Sequence, residues 1–250
     1  MAELNELFGL TGHQVIAVIG SGGKTTLCHS LSESYKQAGD QVLWGTTTKI
    51  LLPPPAAYDR AITANFDRLL TPHPGITVAG EPVTQNGLHK LEMPENPAFR
   101  KSFSSYDKVI LEADGSRRLP LKGWSPHEPV ILPETTATIA VIPISAIGRR
   151  ISEETVQRLP LFTVLTGAEA GDALQISHLQ RLIEHPQGIL QKAVGTIHLF
   201  FNQGESVEDF RDGAAVFDGL SAEVKKRLAT VTVGSAQKGN GVSIWQASKI

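Results

Sequence analysis

Cysteine is almost missing from these 250 residues: Cys28 is the only one, which excludes an intrachain disulfide and any zinc site built from several thiolates. Net charge is nearly missing as well. A formal value of -2 supplies no overall pull toward nucleic acid or an acidic membrane, so neither is expected as a partner. No uninterrupted apolar run of about 18 residues occurs, so no membrane-spanning helix is expected. Residues 1–14 carry Glu3 and Glu6 and lack a basic segment leading into an apolar one, unlike a secretory signal. With a lone thiol and no export signal, the expected compartment is the reducing cytoplasm. Aromatic residues are sparse at 6%, but the hydrophobic share is 41% and the charged share 19%, the balance of a packed globular chain and not of a disordered one.

What is present is an alternation of apolar runs and helical stripes. Val15-Ile16-Ala17-Val18-Ile19 is continuously apolar and ends at glycines, as a strand buried on both faces does. Leu27, Leu31 and Tyr35 then recur every four residues, predicting a helix that stops near Gly39-Asp40. The same reasoning predicts strands at 41–44, 108–111, 138–142 and 193–201, a last strand at 230–233, and a weaker strand at 76–79. Helices are predicted over 153–159, 176–190, 207–210 and 221–228. Pro72, Pro74, Pro82, Pro94 and Pro97 punctuate 56–105, which is treated as an insertion of uncertain form in one domain covering 1–250. Alternating strands and helices predict an α/β fold: a mostly parallel sheet with helices on both faces, a three-layer sandwich whose ligands sit at the carboxyl ends of strands.

The polar clusters fall at those strand ends. The first is Gly20-Ser21-Gly22-Gly23-Lys24-Thr25-Thr26, between the first buried run and the helical stripe. Its glycines let successive backbone N–H groups approach phosphate oxygens, and the helix start adds unpaired N–H groups and a positive dipole end. Lys24 is expected on the β and γ phosphates and the Thr25 hydroxyl on magnesium. The expected ligand is a magnesium nucleoside triphosphate, ATP or GTP, on a P-loop of the NTPase type. The spacing is G-x-x-G-K-T-T, since Val18 stands where the longer pattern has its first glycine. This shorter form resembles the phosphate loops of ATP-dependent amide ligases that build the bacterial cell wall. Ile19 stands where some dimeric ATPases carry a signature lysine, which argues against that subgroup.

Glu112-Ala113-Asp114-Gly115 follows the strand at 108–111, where a magnesium carboxylate belongs. Asp114 is expected to matter more than Glu112, because its glycine turn lets backbone approach the ion. Arg117, Arg118 and Lys122 follow directly; cations there would neutralise charge during phosphoryl or acyl transfer, or else form a solvated basic loop, a reading that stands level for the two arginines and is preferred for Lys122. Thr46, Thr47 and Thr48 offer a second hydroxyl to magnesium or the γ phosphate, or else satisfy turn backbone; Thr47 is the candidate carried forward. His127-Glu128 is weighed as a metal or proton-transfer pair against a plain surface pair, and the surface reading is preferred because no third ligand is apparent. Cys28 is expected to be a small buried residue.

Gly22-Gly23-Lys24-Thr25-Thr26, Thr46-Thr47-Thr48-Lys49-Ile50, Glu112-Ala113-Asp114-Gly115-Ser116 and His127-Glu128-Pro129-Val130-Ile131 occur in this order. That succession, with Leu119-Pro120-Leu121-Lys122 after the carboxylates, resembles the YqeC family of selenium-dependent hydroxylase accessory or selenium cofactor biosynthesis proteins. The resemblance implies an NTP-binding accessory protein serving the maturation of molybdenum hydroxylases, with a molybdenum hydroxylase or its cofactor-assembly proteins as partners; the leading reading adds hydrolysis of the nucleotide, ATP or GTP. Family members carry an Asn-Lys-x-Asp-like element, as GTPases do, where this chain has Asn202-Gln203-Gly204-Glu205. Asn202 and Glu205 are therefore the candidate base contacts, with guanine recognition weakened by the missing lysine. Two other readings stay open: a ligase or kinase that activates a small acid with ATP, and a nucleotide-gated binding module without turnover.

Overall fold

The computed structural model describes residues 1–247. Ten strands build one sheet: β1 (Ala2–Glu3), β2 (Val15–Gly20), β3 (Gln41–Thr46), β4 (Arg60–Ile62), β5 (Gly75–Ala79), β6 (Lys108–Glu112), β7 (Ala137–Pro143), β8 (Thr196–Asn202), β9 (Leu228–Ser235) and β10 (Asn240–Gln246). Their order is β1-β10-β9-β8-β7-β2-β6-β3-β5-β4. All pairs from β9 to β4 are parallel, while β10 runs antiparallel to both β9 and β1. The helices are α1 (Leu4–Phe8), α2 (Lys24–Gln37), α3 (Ala98–Lys101), α4 (Leu159–Thr166), α5 (Ile176–Glu184), α6 (Val207–Asp218) and α7 (Ala222–Arg227).

The period of two along a strand assigns the two faces of the sheet. Ile16 and Val18 of β2 share a cluster with Leu4 and Phe8 of α1 and with Leu27 and Leu31 of α2. Ala17 and Ile19, between them, join Phe162 of α4, Leu179 of α5 and Val216 of α6. Helices therefore cover both faces of a mostly parallel sheet, the layering expected of uninterrupted apolar strands. Each large apolar side chain buried this way contributes ~1.5–3 kcal/mol relative to exposure. The stop of α2 is equally local: Gly39, at φ 93°, donates to Lys36 O and Asp40 donates to Tyr35 O, both at 3.0 Å. That pair of bonds caps the last carbonyls and turns the chain toward β3.

Five predicted stretches differ, the first being the helix over 207–210, which runs on to Asp218. Residues 153–155 form a turn, and Val156–Gln157 pair in parallel with Leu121–Lys122; the helix starts only at Leu159, where Pro160 fits a first turn that needs no N–H. The helix over 176–190 ends at Glu184, because Pro186 disfavours helical backbone in His185. The run at 230–233 is not the last strand: the chain turns back through Gly239, at φ 67°, and β10 pairs antiparallel with β9, with β1 outside it. The stretch 56–105 contributes β4 and β5 to the main sheet. Glu81–Gln85 and Leu88–Glu92 pair with each other, and Leu88–Glu92 with Lys49–Leu51, in a small antiparallel sheet. Among the described residues, no helix is long and apolar enough to cross a membrane.

Candidate functional site

The sheet register brings the first two polar clusters together. Glu112 ends β6 between Val18 of β2 and Thr46 of β3, so its side chain emerges beside the loop that follows β2. Gly20 takes φ 105° and Gly23 φ 123°, conformations that side-chain-bearing residues rarely adopt. A Cβ on Gly20 would run into the Val141 carbonyl and one on Gly23 into Asn202 Nδ2, so the glycines also permit close packing under the loop. Gly20 N–H donates to both Asp114 oxygens at 3.2 and 3.1 Å, and Ser21 N–H donates to Val141 O at 3.0 Å. The next five N–H groups, of Gly22, Gly23, Lys24, Thr25 and Thr26, have no acceptor among the described residues. Thr25 and Thr26 are exposed above them.

Lys24 is 3% exposed and lies between two carboxylates, 3.5 Å from Glu112 Oε1 and 3.4 Å from Asp114 Oδ1. These are ion-pair distances, longer than the ~2.7–2.9 Å of a tight charge-assisted hydrogen bond. Burial alone would lower the Lys24 pKa, but Asp114 and then Glu112 outweigh it and the pKa is raised. Burial pushes Glu112 above its ordinary carboxylate value, and Lys24 and the Thr25 hydroxyl offset only part of that. Thr25 Oγ1 donates to Glu112 Oε2 at 2.8 Å. The two directions have different origins: the carboxylates around Lys24 favour its charged form, whereas burial disfavours the charged form of Glu112.

Asp114 is 0% exposed and its oxygens are already taken. Besides Gly20 N–H they accept from Lys122 Nζ at 3.2 Å and Trp124 Nε1 at 3.0 Å. Lys122, also 0% exposed, donates in addition to Gly115 O at 2.7 Å and Glu128 Oε2 at 2.9 Å. Its three donors are matched by three acceptors, so it is a buried structural cation and not part of the solvated basic loop preferred for it from the sequence. Glu128 corrects the preferred surface reading of His127-Glu128. It is held by Lys122 and bidentately by Arg158, at 2.6 and 3.0 Å, while His127 is exposed. Burial would raise the Glu128 pKa, but Arg158 and Lys122 reverse the direction and lower it.

Thr46 donates its hydroxyl to Glu112 O at 2.8 Å and Thr47 to Val130 O at 2.6 Å, so both serve turn backbone; Thr48 Oγ1 is the buried hydroxyl of the three without a partner. Arg117 and Arg118 are exposed at φ 50° and 64°, each conformation costing on the order of 1 kcal/mol for a side-chain-bearing residue. Asn202 spends both ends of its amide on the chain: Nδ2 donates to Gly22 O and Oδ1 accepts from Ala236 N–H, both at 2.8 Å. It braces the glycine loop against residues 236–239 instead of facing outward. Glu205 is exposed and ion-paired with Lys238; that hydrogen bond, then Ser235, lowers its pKa. Cys28 is buried as expected, and burial pushes its thiol well above the ordinary value.

Sequence reasoning missed Trp124 and Arg158, which complete the Asp114 and Glu128 contacts. The period-two spacing of Lys122 and Trp124 was a faint signal for the first, since both face Asp114; nothing local marks Arg158, which arrives from 30 residues away. Also unforeseen is a groove of about 570 Å³ that starts at Thr26 and is lined by His29, Ser30 and Ser34 of α2 and by Ala236, Lys238 and Gly239. Among the described residues, no group of three or more His, Cys, Asp or Glu side chains is placed to hold a metal by itself.

A mostly parallel α/β sheet with a glycine-rich strand-to-helix loop against two buried carboxylates at its carboxyl edge defines the class of protein. The family model described as YqeC protein matches residues 16–160, a span that includes the loop, both carboxylates, Arg117, Arg118 and the Lys122–Glu128–Arg158 contacts. A relative from Escherichia coli (strain K12), the uncharacterized protein YqeC, is 34% identical over 185 residues, covering 70% of this chain and 69% of that protein. The chain belongs to the YqeC family.

Proposed function

We propose that this chain binds a magnesium nucleoside triphosphate, ATP or GTP, on residues 20–26 as a P-loop NTPase. In this reading it hydrolyses the nucleotide in the cytoplasm while serving the maturation of selenium-dependent molybdenum hydroxylases. The observation that carries the nucleotide reading is the row of five unpaired N–H groups from Gly22 to Thr26, flanked by Lys24 and by the Thr25–Glu112 hydrogen bond. Consecutive backbone donors at a helix start, with an ammonium beside them, match the oxygens of a polyphosphate. Lys24 makes two contacts of 3.4–3.5 Å and so has a third N–H left for the terminal phosphates, whereas Lys122 is committed to the protein on every donor. The selenium role rests on the ordered motif blocks shared with the family.

Magnesium fits the donor set of Thr25 Oγ1 and Glu112 Oε2, hard oxygens beside an exposed loop, and when bound it would screen the phosphate charge. Glu112 takes this role ahead of Asp114, whose oxygens hold the loop in shape through Gly20. Calorimetric titration with nucleotide, in magnesium and in EDTA, tests the reading. Lys24→Ala is expected to weaken triphosphate binding by about tenfold or more, and Glu112→Gln to remove most of the magnesium enhancement. A wild-type chain that binds no nucleotide, or a Glu112→Gln chain with full magnesium enhancement, would sink it.

The nucleoside belongs in the groove that opens at Thr26, because the phosphates would occupy the N–H row leading to it. Glu205 stands near that end but is engaged by Lys238, and no lysine stem covers the base at Gln203. ATP and GTP are therefore expected to bind within roughly tenfold of each other, about 1.4 kcal/mol. Competition between the two nucleotides checks this; a GTP preference beyond about a hundredfold that Glu205→Ala abolishes would show that Glu205 reads guanine after all.

A further inference from the structure

The turn at 115–120 is fastened to the glycine loop at both ends. At its start Asp114 holds Gly20 N–H, and Lys122 holds Gly115 O at 2.7 Å. At its end Ser21 Oγ donates to Pro120 O at 2.8 Å, and within it Leu119 N–H closes on Ser116 O at 2.9 Å. Arg117 and Arg118 ride on this turn in successive left-handed conformations, exposed, with no carboxylate partner among the described residues. Arg158 and Arg100, by contrast, are committed to Glu128 and Glu134, while Arg149 and Arg150, exposed without a carboxylate among the described residues as well, sit on a loop that is not tied to residues 20–21. The turn that carries these two guanidinium groups is thus anchored to Gly20 and Ser21.

The direction of a bound polyphosphate decides what they meet. The groove for the nucleoside starts at Thr26, one end of the N–H row, so the terminal phosphate lies at the other end, toward Gly22 and Ser21. That is the end to which the arginine turn is tied. Guanidinium groups present paired donors that match phosphate oxygens.

We infer that the Arg117–Arg118 turn reads the terminal phosphate of the bound nucleotide and gives the site its preference for triphosphate over diphosphate. The inference rests on the nucleotide reading above and adds to it which residues distinguish the two nucleotide states. A nucleotide-state sensor of this kind must act on the ground state, so it is visible in binding without turnover.

The test is a calorimetric comparison of a nucleoside diphosphate and its β,γ-imido triphosphate, each with magnesium, on wild type and on the Arg117→Gly/Arg118→Gly double variant. Glycine adopts positive φ freely, so the turn keeps its backbone while losing both cations. The ratio of triphosphate to diphosphate affinity is expected to fall by about tenfold or more, with diphosphate affinity changed by less than about threefold. Arg117→Lys/Arg118→Lys, which keeps charge but not the paired donors, is expected to fall between the two. A double glycine variant that binds diphosphate like wild type and keeps its ratio within about twofold overturns the inference while leaving the nucleotide reading standing. A wild-type chain that binds both nucleotides equally overturns the inference alone; one that binds neither overturns both.

Discussion

Asp114→Ala is expected to lower folding stability by about 3–5 kcal/mol, the cost of removing one partner from a buried ion pair. The carboxylate is 0% exposed and receives Gly20 N–H, Lys122 Nζ and Trp124 Nε1 within 3.2 Å, with Lys24 at 3.4 Å. Alanine leaves the indole and the glycine N–H without acceptors and leaves Lys122, also fully buried, to Glu128 and one carbonyl. Each orphaned donor carries its own desolvation cost of ~1–3 kcal/mol, and these are not additive within one cluster. Asp114→Asn fares little better, because its amide group sets a new donor against the donors that remain. Urea unfolding of the wild type, Asp114→Ala and Asp114→Ala/Lys122→Met measures this. The double variant, with the stranded ammonium removed, is expected to be more stable than the single one. A loss below about 1 kcal/mol for Asp114→Ala would mean that the network contributes nothing beyond an exposed pair.

Acid is expected to destabilise the chain through His198. This side chain is 1% exposed, shares a hydrogen bond of 2.9 Å between Nδ1 and Thr230 Oγ1, and has no partner at Nε2. The Phe8 ring centroid lies 5.8 Å away and that of His13 6.4 Å away. Burial, then the charge of His13, lowers its pKa from 6.5 to about 4. Between those values the unfolded chain binds a proton that the folded chain refuses. Stability is therefore complete above about pH 6.5 and is lost as the pH falls toward about 4, at ~1.4 kcal/mol per pH unit and on the order of 3 kcal/mol in all. Other groups titrate in this range, so the readout is a difference: between pH 7 and pH 5 the wild type should lose ~2 kcal/mol more than His198→Leu. Parallel stability profiles for the two chains would sink this assignment.

Much of the fold and part of the site were legible in the residues themselves. A strand buried on both faces must be apolar at every position, so β2, β6 and β7 announced themselves, and with them the mostly parallel sheet with helices on both faces. The loop at 20–26 was legible because positive φ and close backbone approach demand glycine. The unpaired N–H groups also follow from any helix start. Where a local rule competed with another, the apolar pattern misled: Val156 and Leu159 look like a helical stripe, but Val156 is drawn into pairing with Leu121. Strand β10, next to the short edge strand β1, was missed because one of its faces is wet and its pattern is diluted by Ser243 and Gln246.

What the sequence by itself determined is the set of residues at the carboxyl ends of the strands, since polarity and strand endings are local properties. Which of them share a task was decided only by the tertiary structure, because hydrogen bonds are settled by distance across the chain. Glu112 and Asp114 are equivalent as letters, yet the register of β6 between β2 and β3 points one at Thr25 and sets the other against Gly20 and Trp124. Lys24 and Lys122 differ for the same reason, one held loosely at 3.4–3.5 Å and the other bonded on every donor. Asn202 could be recognised as a strand-end amide but not as a brace, because Gly22 and Ala236 reach it from positions 180 and 34 residues away.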